Sequence, residues 1–187
     1  MKILSDAAIG LGQMSTLASI NVYIANRPPL DQYQSLTDVL ALKNGDIAYI
    51  AQHTGNHWRK IFNVYAKFLF ILWQKKNSLN VTTTSWQAYR DNELLQSHCQ
   101  EALLFSPPNI SKNNKAVHII MGKQYGEQLS FCREDKNTVQ IDRDFALQHD
   151  KKIIFCPYFD YRQLSNIKIE TLVQLVLELS WFFYMPF

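Results

Sequence analysis

IIFCPYFDYRQLSN, residues Ile153–Asn166, sets the architecture. The apolar run Ile153-Ile154-Phe155-Cys156 has the length of a buried strand, and Pro157 ends it. The loop Pro157–Asn166 is polar and aromatic and carries Arg162, and the apolar periodicity of Ile169–Trp181 after it reads as a helix. A loop between a buried strand and a helix lies at the carboxyl edge of an α/β sheet, the edge where such sheets bind ligands. Loops held there by a rigid scaffold are also where chemistry is commonly grafted.

Upstream, strands and helices alternate. Ile20–Ala25 reads as the first strand and stops at Asn26-Arg27-Pro28-Pro29, because two prolines cannot extend a central strand. A helix is predicted over Asp31–Leu42, with Asn44-Gly45 as its C-cap, and Asp46–Gly55 reads as irregular with a little strand. Trp58, Ile61, Phe62, Tyr65, Phe68, Leu69 and Leu72 recur at helical spacing behind Asn56 as N-cap. Asn77–Ser85 reads as loop, Trp86–Leu104 as a second helix, and Pro107-Pro108 as a break. Asn113-Asn114-Lys115 turns into the strand Ala116–Met121, and Gly122 allows a tight turn into a helix over Lys123–Phe131. A short strand at Val139–Ile141, a polar loop and the strand Lys152–Cys156 complete the pattern. This alternation predicts one three-layer α/β domain over residues 1–187, with a central, mostly parallel sheet.

The 187 residues, 47% hydrophobic, suffice for one well-filled core, and two full domains would be cramped. A net charge of +3 permits nucleic-acid contact without arguing for it. Cys99, Cys132 and Cys156 are odd in number and lack CxxC spacing, so reduced thiols are expected rather than a disulfide framework or a zinc site. The opening MKILSDAAIGLG is too weak for a secretory signal. Tyr65–Trp73 is too short to span a bilayer, and Gln174 and Glu178 interrupt Leu172–Phe187. A cytoplasmic protein without membrane contact is expected. No glycine-rich phosphate motif is present and no cofactor or metal is expected; His53 and His57 are four apart, but no carboxylate accompanies them and Gly55 intervenes.

Four local stretches resemble, in order, the uracil-DNA glycosylase superfamily, most closely its mismatch-specific uracil/thymine branch. AVHIIMGKQYGEQLSF, Ala116–Phe131, is similar to that family's apolar strand running into Gly-Lys-Gln and a helix. IIFCP, its loop and LSNIKIETLVQLVLEL, Leu164–Leu179, are similar to its last strand, intercalation loop and closing helix. HTGNHWRKIF, His53–Phe62, resembles its His-Pro-Ala-Asn-Arg-Phe-Trp-Lys segment with one residue fewer, and Asn26-Arg27-Pro28-Pro29 falls at its Gly-Ile-Asn-Pro-Gly turn. The resemblance implies a three-layer fold of that type and a pocket between two loops that receives an extruded base.

Both loops depart from the family pattern. The residue before Pro28 is Arg27, a cation that cannot act as a base, and Asn26 stands one position early. Asp160 stands where the family carries a His or Asn electrophile, and an ionised carboxylate there repels an electron-rich leaving base. Asp160 or Asn26 could instead position water. Arg27 and Asp160 either line a pocket together or form an ion pair that ties the two loops. Tyr158, Tyr161 and Arg162 offer stacking faces, whereas Phe159 and Trp58 read as core. By resemblance the pocket wall draws on His53, Asn56, His57 and Trp58, with Ser165 a further binding candidate, and Lys123 could touch a phosphate; otherwise Asn56 is a helix cap, Trp58 core and Lys123 a solvated residue.

Three functions follow as expectations. The first is a DNA- or nucleobase-binding module without standard glycosylase chemistry, favoured because both catalytic positions are replaced. The second is an N-glycosidase using Asp160 or Asn26. The third is an interaction or homodimerisation domain using the aromatic end Trp181–Phe187.

Overall fold

A computed structural model describes residues 8–112, 115–129 and 136–181. Three short apolar runs form its centre: β2 (Ile20–Tyr23), β5 (Val117–Met121) and β8 (Ile153–Cys156), every residue of which is buried. Burial on both faces explains why they read as continuous apolar runs rather than as alternating strands. With β4 (Glu101–Leu104) they make a parallel core in the order β4-β2-β5-β8. β1 (Gly10–Gly12) adds antiparallel to β4, and β3 (Val39–Leu40) adds parallel to β1. On the other side β7 (Ala146–Gln148) and β6 (Val139–Gln140) add antiparallel, so the eight-stranded sheet is mixed.

Alternate residues of each strand serve two cores. Ile20, Val22, Ile119 and Ile154 face the larger one, built with α3 (Asn56–Lys75) and α6 (Asn166–Trp181). Trp58, Ile61, Phe62, Tyr65, Phe68, Leu69 and Leu72 of α3 are all buried there, as their spacing predicts. Tyr23, Ile120, Ile153 and Phe155 face a smaller core beneath the short α5 (Lys123–Gln128). The chain runs from β2 to β4 on one side and later to β5 on the other. The crevice between β2 and β5 is therefore a topological switch point.

Several segments depart from the sequence expectation. The helix expected over residues 31–42 is a single turn, α1 (Asp31–Gln34). Arg27 Nη1 donates to the Gln34 and Leu36 carbonyls at 2.9 and 3.1 Å, drawing them out of a helical ladder, and Val39–Leu40 pairs with β1. Residues 46–55, expected to be irregular, hold the helix α2 (Asp46–Thr54). Gly45, at φ 92°, is the residue before its first turn rather than a C-cap, and the Asp46 carboxylate accepts the Lys43 N–H at 2.8 Å. Asn56 is the first residue of α3 and Gly55 precedes it, so Asn56 is not the cap. The strand β1 and the strand β7, the latter inside the expected polar loop, were not anticipated.

The helix expected over residues 86–104 ends at Asn92 as α4 (Trp86–Asn92), started by Ser85 Oγ accepting the Ala88 N–H. The cause of the break is Glu101. Its carboxylate, fully buried, accepts from the Tyr89 hydroxyl at 3.0 Å and from the Leu95 and Gln100 N–H groups at 3.2 and 3.1 Å. Trp73 Nε1 donates in turn to the Tyr89 hydroxyl at 2.9 Å. One carboxyl thus folds the connection back into β4, and burial pushes its pKa up to about 7.

The helix predicted to run to Phe131 stops at Gln128, with Leu129 outside it; residues 130–131, the turn at Asn113-Asn114 and most of the aromatic end lie outside the described residues. No helix among the described residues is long and apolar enough to cross a membrane.

Candidate functional site

Three parallel strands deliver their following residues to one edge. Asn26 follows β2, Gly122 follows β5, and the loop 157–164 follows β8. The first two turns of α3 supply His57 and Lys60 to the same place. β2 and β8 are not paired, however; β5 lies between them, so the loops that carry Asn26 and Asp160 are next-but-one neighbours.

Tyr158 bridges that gap. Its hydroxyl lies 2.9 Å from His57 Nε2, with the two rings stacked at 5.6 Å between centroids. The ring crosses over Gly122, where a Cβ would stand 3.2 Å from Tyr158 Cδ2 and where φ is +95°. Glycine is required there on both counts. Burial raises the Tyr158 pKa to about 12, against the opposing effect of a hydrogen bond with Asn26 and with a further upward push from the Asp160 charge. Tyr158 is therefore a fixed neutral hydroxyl that ties three segments together.

Asp160 is fully engaged. Oδ2 accepts from Lys60 Nζ at 2.9 Å, and Oδ1 accepts the Arg162 N–H at 3.0 Å. Partial burial pushes its pKa up, but the Arg162 N–H and the Lys60 ammonium outweigh this and leave it lowered. The Asp160 carbonyl accepts the Gln163 and Leu164 N–H groups at 2.8 Å each, which closes the loop into a tight turn. Phe159 points inward against Tyr65 and Phe68, as expected, and anchors the loop. Tyr161 points outward at 55% exposure, with Lys60 Nζ 5.0 Å and the Arg162 guanidinium 5.9 Å from its ring centre.

The expected Arg27–Asp160 pair does not form. Arg27 spends its guanidinium on the two carbonyls of the α1 turn and lies 5.9 Å from the Phe105 ring centre, while Asp160 takes Lys60. His53 is on the exposed side of α2, its ring tilted against Tyr49 at 4.1 Å between centroids and its Nδ1 2.8 Å from the Tyr49 carbonyl. Asn56 is exposed at the start of α3. Ser165 immediately precedes α6 and accepts the Ile169 N–H through its carbonyl. The structure thus brings together Asn26, His57, Tyr158, Asp160, Tyr161 and Arg162. Lys60 was not anticipated, and its spacing of three from His57 was the one available signal.

A cleft of about 330 Å³ opens on the α5 side of the same loop. Lys123, Arg143, Asp144, Arg162 and Lys168 line it, with Phe155 and Ala146 among its inner residues. Arg143 and Asp144, from the turn between β6 and β7, and Lys168, from the first turn of α6, were not anticipated. A second depression of about 460 Å³ lies between α3, α4 and α6, lined by Phe70, Ile71, Trp86 and Ile167. Among the described residues no three His, Cys, Asp or Glu side chains gather as a metal site. Cys99 and Cys156 are free and buried, and burial raises both thiols far above their ordinary value, so neither is an available nucleophile.

Residues 9–177 match the model of a family of unknown function, DUF6942, and the chain belongs to that family. No curated protein and no solved structure matches it.

Proposed function

We propose that this member of the DUF6942 family is a nucleic-acid- or nucleobase-binding module on a uracil-DNA-glycosylase-like frame, without the standard glycosidic reaction. The observation that carries the reading is Tyr161: an exposed ring at the carboxyl edge of the sheet, flanked by Lys60 and Arg162. An exposed aromatic face beside two cations suits a base stacked on the ring with its phosphates nearby, and base–aromatic stacking is worth ~1–3 kcal/mol. The switch point between β2 and β5 beside it adds support, since ligands of open α/β sheets bind outside such points.

The chemistry of the edge argues against glycosidase action. Both Asp160 oxygens already hold donors and its pKa is lowered, so it is a poor base. Asn26 serves the Tyr158 hydroxyl. Fluorescence anisotropy with a labelled single-stranded oligonucleotide tests the reading. Tyr161→Ala should weaken binding by about 5- to 150-fold, the equivalent of one lost stack. Unchanged affinity in that variant would sink the stacking role. Abasic sites formed on uracil-containing single-stranded or mismatched DNA, and lost in Asp160→Ala, would replace the module with the enzyme.

A further inference from the structure

We infer that the cleft on the α5 side of the loop is a phosphate site, filled either by the terminal phosphate of a nucleotide or by a phosphodiester of a nucleic-acid backbone. The inference rests on the binding role proposed for the neighbouring Tyr161 and deepens it.

The argument starts from charge. Four cationic side chains line the cleft, Lys123, Arg143, Arg162 and Lys168, against a single carboxylate, Asp144. That carboxylate is already occupied: Lys168 Nζ lies 2.9 Å and Arg143 Nε 3.4 Å from its Oδ2. Lys168 also donates to the Gln163 carbonyl at 3.0 Å, so it is fixed between the loop and the β6–β7 turn. Among the described residues Lys123 makes no ion pair with a carboxylate, and Arg162 makes none either, although its charge acts on Asp160, which Lys60 already pairs. Like charges gathered in a concave, half-apolar site repel one another and attract an anion. A surplus of three positive charges suits a phosphate better than a monocarboxylate.

The frame is stiff enough to recognise one. Asp142 Oδ1 accepts the Asp144 and Phe145 N–H groups at 2.7 and 2.8 Å, and Gln140 Nε2 donates to the Asp142 and Phe145 carbonyls. This pins the turn from which Arg143 projects at 87% exposure. Guanidinium groups bind phosphate oxygens two at a time, so Arg143 and Arg162 can clasp the anion while Lys123 adds a point charge. Arg162 lies between the cleft and the Tyr161 ring. A phosphate in the cleft and a base on Tyr161 would therefore share one side chain.

Calorimetric titration of the full chain with a nucleoside 5′-monophosphate, the matching nucleoside, inorganic phosphate and a single-stranded oligonucleotide tests this. The nucleotide should bind at least about ten-fold more tightly than the nucleoside, the loss of one charged hydrogen bond, and inorganic phosphate should compete with it. Lys123→Gln combined with Arg143→Gln should weaken nucleotide binding at least about ten-fold, and their exposure predicts an unchanged melting temperature. A steeper loss of affinity with salt for the oligonucleotide, reduced by about two in slope by the double variant, identifies a backbone phosphate; tighter binding of the mononucleotide identifies a terminal one. Equal affinity for nucleoside and nucleotide, or a double variant that binds like the native chain, overturns the site. If Tyr161→Ala impairs oligonucleotide binding while the double variant does not, the aromatic reading stands and the phosphate site falls. The reverse pattern keeps the phosphate site and removes the aromatic one.

Discussion

Raising the pH from 5 to 8 should destabilise this fold through one buried carboxyl. Glu101 is fully buried, and burial lifts its pKa from 4.5 to about 7 despite the four hydrogen bonds, from Leu95, Tyr89, Gln100 and Cys99, that pull it down. The folded chain therefore holds a proton that the unfolded chain releases near pH 4.5. Between those values the native state binds more protons, so stability falls as pH rises. The contribution is fully present below about pH 4.5 and lost above about pH 7, and the gap between 4.5 and about 7 corresponds to about 3 kcal/mol. For a chain of this length that is a fall of roughly 6–12 °C in melting temperature. Asp144 and Asp160, whose pKa values are lowered, act in the opposite sense, but only as the pH drops below their ordinary value of 3.8. The window from pH 5 to 8 thus separates Glu101 from them. Melting curves by circular dichroism at fixed ionic strength give the profile, and Glu101→Gln supplies the control. The amide cannot ionise, so that part of the slope should vanish. The variant should also lose about 1–3 kcal/mol, because an amide nitrogen cannot accept the Gln100 N–H. A native profile that is flat or rises over this range, or a Glu101→Gln profile as steep as the native one, would refute the reasoning.

Two further predictions concern the loop. Gly122→Ala should cost about 1–3 kcal/mol, since alanine is strained at φ +95° and its Cβ meets the Tyr158 ring. The same variant should weaken the His57–Tyr158 contact, visible as a changed His57 imidazole resonance by NMR; an unchanged resonance and melting temperature would contradict the crossing. Phe159→Ala should cost about 3–5 kcal/mol by emptying the space between Tyr65 and Phe68. Denaturant unfolding measures it, and a loss below about 1 kcal/mol would mean that the loop is not anchored by this ring.

How much of this was legible depended on whether a segment's role is local. α3 announced itself because seven apolar residues keep one helical face, and β2, β5 and β8 because both faces of each are buried. α2 was missed because Ile47 and Ile50 are its only buried residues, too few for a clear period, and its start depends on the positive φ of Gly45. Residues 94–104 fit a helical pattern as well as a strand. Glu101 decides between them through Tyr89 and Trp73, and spacing does not encode that contact. β1 and β7 are three residues each and exist because a neighbouring strand offers its edge.

The candidate site divides in the same way. Reading the loop after β8 as a carboxyl-edge loop needed only a strand, a proline and a helix. Pairing Asp160 with Lys60, one hundred residues away, rather than with Arg27 required the fold. Arg27 was unavailable because it holds the α1 turn in place. Arg143 enters the cleft from the turn between β6 and β7, of which the sequence offered only the first strand, and Lys168 enters it from the first turn of α6. The resemblance to uracil-DNA glycosylases pointed to the two loops, and the fold shows Asp160 held there by Lys60 and the Arg162 N–H.

Photochemical cross-linking of a single-stranded oligonucleotide carrying a photoreactive uracil, followed by mass-spectrometric mapping, tests the central claim most directly. The account predicts adducts on the peptide that contains Tyr158, Tyr161 and Arg162, abolished by Tyr161→Ala. No adduct, or adducts confined to the apolar depression around Phe70 and Trp86, would contradict it.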